Sequence, residues 1–88
     1  LANHKSAVKR ARQSLIRRER NRAVRTQVKN AVKIVRENVT AHQTETSVEE
    51  LNKAKSVIAK AAKKGVINKR AASRKISRLS LLVNTLSA

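Results

Sequence analysis

The 88-residue chain has no cysteine, no proline, no methionine, no aromatic residue and a single glycine. Without cysteine there are no disulfides, no zinc–thiolate sites and no thiol chemistry. Without proline, and with one glycine, the usual helix breakers are missing, so long uninterrupted helices are expected. The lack of aromatics removes the side chains that bury most area in a core. It also removes the stacking platforms on which single-stranded nucleic acids are read. No apolar run approaches the roughly 20 residues of a membrane-spanning helix. The chain enters Lys5, Lys9, Arg10 and Arg12 with no apolar stretch behind them, which is not the pattern of a secretory signal. Acid is scarce too: 5 acidic residues stand against 22 Lys and Arg, a net charge of +17.

An excess of that size cannot be neutralised internally and calls for a polyanionic partner. The apolar residues are 40% of the chain, but many are Ala and Val. In one short domain such a core is expected to be marginal, and like-charge repulsion weakens it further. The isolated chain is therefore expected to be only partly ordered, with its partner completing the fold.

Apolar spacing reads as three helices. In helix one, about residues 5–40, Val24, Val28, Ala31, Val32, Val35 and Val39 form one stripe. Before Ala23 the stripe thins to Ala7, Val8, Ala11, Leu15 and Ile16, with basic residues at most other positions. Residues 41–46 read as a loop. Helix two, about 47–64, begins at a Ser47–Glu50 capping box and carries Leu51, Ala54, Val57, Ile58, Ala61 and Ala62. Gly65 suits the left-handed residue that ends a helix. Asn68 caps helix three, about 68–86, with Ala72, Ile76, Leu79, Val83 and Leu86 as its seam. The fold expected is all-α: a three-helix bundle in one domain, residues 1–88, with short connections making neighbouring helices antiparallel. Helix one is on the order of 50–55 Å long and its partners about 27 Å. Its N-terminal half must therefore project beyond the bundle.

Charge follows this plan. Residues 1–36 hold twelve Lys and Arg and one Glu, residues 37–52 hold four Glu and no base, and residues 53–88 hold ten bases and no acid. The projecting helix carries Lys5, Lys9, Arg10, Arg12, Arg17, Arg18, Arg20, Arg22 and Arg25, followed by Lys29. The antiparallel fold is expected to gather Lys63, Lys64, Lys69, Arg70, Arg74 and Lys75 beside it, with Arg78 last among the bases of helix three. A solvated surface normally mixes signs. This one does not, and guanidinium forks match phosphate oxygens. Asn3, Asn21, Asn68, Ser6, Ser73 and Ser77 could hydrogen-bond sugars or phosphates, or merely cap and solvate. His4 could make a polar contact to the partner. The distance between His4 and His42 and the lack of cysteine leave no metal site, and no nucleophile–base pair or phosphate loop is present. No catalytic residue, cofactor or small-molecule substrate is expected. The reading is of shape and backbone rather than of exposed bases.

Two blocks go further. Ala2-Asn3-His4-Lys5-Ser6-Ala7 with Lys9-Arg10, and Ala61-Ala62-Lys63-Lys64-Gly65-Val66-Ile67-Asn68-Lys69 continuing through Ala72, Arg74 and Ser77-Arg78-Leu79, resemble the bacterial small-subunit ribosomal protein family conventionally numbered twenty. Length, charge and helix plan agree across essentially the whole chain. The resemblance implies a cytoplasmic, ribosomal protein that is not an enzyme. It implies direct binding to small-subunit (16S) ribosomal RNA, with a part in its folding and assembly. By matching position, Asn3, Lys5, Ser6, Lys9, Arg10, Lys64, Lys69, Arg74 and Arg78 should contact RNA. The chain departs from the family's pattern at Asn68, where His is frequent, and at Leu81-Leu82, where a basic pair is frequent. Leu1 stands where an initiator Met is expected, and a literally translated start codon would explain it.

The partners expected are the small ribosomal subunit and its RNA, with no membrane and no homo-oligomer. Composition alone also allows a nucleoid-type DNA-binding protein or an amphipathic protein on an anionic membrane. Interfacial helices present a broad apolar face with Trp, Phe or Leu, and the narrow Val/Ala stripes here suit a bundle better.

Overall fold

The computed structural model describes the backbone of residues 2–86 and the side chains of residues 4–86. Leu1 and the side chain of Asn3 lie outside the described residues. Three helices, α1 (Ala2–Thr40), α2 (Thr44–Lys63) and α3 (Lys69–Asn84), account for the fold, with no strand among the described residues. The all-α expectation and the long leading helix are both met.

The bundle is held by a small core. Val28 and Val35 of α1 meet Leu51, Ala54, Ile58 and Ala61 of α2 and Ala72, Leu79 and Val83 of α3. Val24, Ala31, Val32 and Val39 pack around its edge. Three of these nine buried residues are alanine, which offer little area. The larger members contribute about 1.5–3 kcal/mol each. From His4 to Arg20 every described side chain is exposed. The bundle thus covers α1 only from about Asn21 onward, and the rest projects on the order of 27 Å. The molecule measures 67 × 22 × 14 Å with a radius of gyration of 17.8 Å. A compact chain of this length would have about 12 Å.

The start of α2 differs from expectation. The helix begins at Thr44, and its N-cap Gln43 makes no side-chain cap bond. Ser47 is not a cap. Its N–H donates to the Gln43 carbonyl at 2.9 Å, so Ser47 is already inside the helix. Its hydroxyl is fully buried without a partner. The physical reason is visible in the buried set Ser47, Leu51, Ala54, Ile58 and Ala61. Steps of four, three, four and three place Ser47 on the core-facing stripe, one turn ahead of Leu51. Glu50, the other half of the expected box, sits 3.4 Å from Lys53. The connection shrinks to residues 41–43. It is closed by His42 N–H to the Val39 carbonyl and Gln43 N–H to the Asn38 carbonyl, both at 3.0 Å.

Candidate nucleic-acid interface

Of the residues singled out from the sequence, His4, Lys5, Ser6, Lys9, Arg10, Arg12, Arg17, Arg18 and Arg20 lie on the projecting half of α1, all exposed. Arg22, Arg25 and Lys29 continue along the bundled half, also exposed, and Asn21 is half-buried at the junction. These cations are not neutralised within the protein. Among the described residues the ion pairs are Lys33–Glu37 at 3.9 Å and Lys53–Glu50 at 3.4 Å, and neither involves a predicted site residue. Like charges at i, i+4 on a helix cost about 0.2–0.5 kcal/mol per pair. A polyanion laid along α1 would remove that cost.

The α2–α3 turn brings a second set to the same place. Gly65, at φ +79°, ends α2: its N–H donates to the Ala62 carbonyl and that of Val66 to the Ala61 carbonyl, each at 3.0 Å. Asn68 then caps α3, its side-chain oxygen accepting from the Arg70 N–H at 2.8 Å. The cap leaves the Asn68 amide N–H groups to donate to a partner. The turn sets Lys64 and Val66 against Arg20, Asn21 and Val24. Lys63, Lys69 and Ser73 line the neighbouring α2–α3 groove. Arg70 and Arg74 are exposed on the first half of α3. On α1 itself Ser14, Arg17, Arg18, Asn21 and Arg25 form one shallow depression.

Lys75 and Arg78 are placed elsewhere, and here the expectation is corrected. Because α3 runs back antiparallel to α2, it runs parallel to α1, away from the projecting end. Lys75, six residues past Lys69, is about 9 Å further along. It lines a groove with Lys29, Lys33 and Arg36 over an apolar floor of Val28 and Val32. Arg78 lines the adjoining groove with Arg36 and Leu79. The basic surface therefore extends along the flank of the bundle. Lys33 and Arg36 were not singled out from sequence. The signal was there: Arg18, Arg22, Arg25, Lys29, Lys33 and Arg36 are spaced four, three, four, four and three, a single helical face.

No group of His and acidic residues able to hold a metal ion occurs among the described residues. What the site offers is a dense array of hydrogen-bonding cations, many of them guanidinium, with polar Asn and Ser between them. The chemistry of such an array is complementary to phosphate oxygens.

Fold and surface together define a small basic helical protein built around one long exposed helix. Comparison with known proteins narrows this. The family described as Ribosomal protein S20 matches residues 2–84. The small ribosomal subunit protein bS20 of Maridesulfovibrio salexigens is 56% identical over 87 residues, covering 99% of this chain and 100% of the relative. Its namesake in Syntrophobacter fumaroxidans is 51% identical, covering 98% and 100%. That of Campylobacter curvus is 51% identical, covering 100% and 99%. The chain belongs to the ribosomal protein S20 family. It is a structural protein of the ribosomal class and not an enzyme.

Proposed function

We propose that this chain is a constituent of the cytoplasmic small ribosomal subunit that binds directly to 16S ribosomal RNA and stabilises its folding during assembly. The observation that carries this reading is the projecting half of α1. Seventeen described residues from His4 to Arg20 leave every side chain exposed, and their only acid is Glu19. A helix so charged and so unsupported has no role inside its own fold. It fits the phosphates of a structured RNA, which can surround it. The residues proposed to bind are those singled out from the sequence, Asn3 among them, joined by Lys33 and Arg36. The relatives' names, small ribosomal subunit protein bS20, agree with the assignment.

The test is binding of the full chain to 16S ribosomal RNA in the presence of excess random-sequence duplex DNA. Retained binding is the expected result. Equal displacement by DNA would reduce the chain to a general polyanion binder and overturn the proposal.

A further inference from the structure

One face of α1 can be followed by steps of three and four residues: His4, Val8, Ala11, Leu15, then Arg18, Arg22 and Arg25. Its chemistry changes between Leu15 and Arg18, from apolar to cationic. Val8 and Leu15 are left 50% and 57% exposed. They are not a continuation of the core stripe. At about 100° per residue, the Val24–Val28–Val35 side of the helix lies roughly 140–180° around from them. No lengthening of α2 or α3 would cover them.

We infer that this apolar stretch seats in the wide, shallow minor groove of double-helical RNA, with the cations around it reaching the phosphates of the two rims. The inference rests on the RNA-binding reading above and names the part of the RNA that the projecting helix enters. Two observations favour RNA over a protein as the occupant. From Val8 to Leu15 the stretch is only about 10 Å long, whereas a stable protein interface takes about 800 Å² from each partner. It is also an island in positive charge, with Lys5 at one end, Arg12 on its flank, and Arg18 and Arg22 at the other end. A ribose-lined floor between two phosphate strands is complementary to that pattern. Double-helical RNA presents such a floor only in its minor groove, since its major groove is too deep and narrow for side chains to read.

The test uses the full chain carrying V8A and L15A together. Both residues lie outside the core, and alanine is the better helix former at each position. Lost affinity would therefore not report lost helix. Binding to 16S ribosomal RNA transcribed in vitro is expected to weaken by about tenfold. The slope of affinity against salt should be unchanged, because no phosphate contact is removed. Hydroxyl-radical protection of riboses on the two strands facing one minor groove should be lost in the double variant. Affinity equal to that of the unsubstituted chain would overturn the inference. So would a loss seen only when other ribosomal proteins are present, which would make a protein the occupant. Failure of the unsubstituted chain to bind the RNA would instead overturn the proposed function itself.

Discussion

His42 and Gly65 hold the same position at the ends of two helices, each with a left-handed backbone, at φ +57° and +79°. Each is followed by a residue whose N–H reaches back five positions, Gln43 to Asn38 and Val66 to Ala61. The two differ in cost. A side chain in the left-handed region is disfavoured by roughly 1–2 kcal/mol, a penalty that glycine escapes. His42→Gly is therefore expected to raise stability by about 0.5–1 kcal/mol. Gly65→Ala should lower it by about 1 kcal/mol, although a Cβ there would meet nothing within 4 Å. Urea denaturation of the two variants against the parent checks both signs.

Ser47 sets a second stability prediction. Its hydroxyl is fully buried and without a hydrogen-bond partner, and a buried unsatisfied polar group costs about 1–3 kcal/mol. Alanine removes the group, keeps the small volume between the helices and is the better helix former. Ser47→Ala should stabilise the chain by about 1 kcal/mol, a rise in Tm of roughly 4–8 °C for a domain of this size. A lower Tm would show that the hydroxyl has a partner in solution.

The same serine marks where sequence reading reached its limit. The spacing of Ser47 and Glu50 matched a local capping signature, but the serine also matched the longer rhythm of Leu51, Ala54, Ile58 and Ala61. Burial of a whole face outweighed a local cap. Where local and global signals agreed, as at Gly65 and Asn68, the boundary was legible. The projection of α1 was legible as well, because helix length is a simple product of rise and residue number. The placement of Lys75 and Arg78 was not. It depends on how far α3 has travelled along α1, and charge blocks counted along the chain do not carry that. Arg36 was missed for a related reason. It belongs to a stripe visible only when the cations of α1 are sorted by face rather than by density.

The flank grooves give a prediction of their own. Arg36 stands with Lys75 in one groove and with Arg78 in the next, away from the projecting helix. If this flank meets phosphates, R36Q with K75Q should weaken binding to 16S ribosomal RNA by roughly tenfold and shrink the salt slope by about two contacts. Lys53→Gln on α2, where the lysine is paired with Glu50 at 3.4 Å, serves as the control and should change little. Equal effects of the two changes would deny the flank a specific role.

The order of α1 in the free protein should be uneven. Residues 4–20 are exposed throughout, and their helix must resist the repulsion of its own cations. Val28 and Val35, by contrast, are buried. Hydrogen exchange is expected to show weak amide protection before Ala23 in the free chain, strong protection around Val28–Val35, and strong protection throughout once RNA is bound. Strong protection across residues 5–22 without RNA would contradict this.

The salt dependence of binding to 16S ribosomal RNA is the most direct measurement of whether α1 works by neutralising phosphates. It should be made for the full chain and for a variant carrying R10Q, R17Q and R20Q. The unsubstituted chain is expected to lose affinity linearly on logarithmic axes with a slope on the order of five or more, and the variant's slope should be smaller by nearly one unit per arginine removed. A slope near one, or a slope untouched by the loss of three arginines, would contradict the phosphate-binding role of the projecting helix.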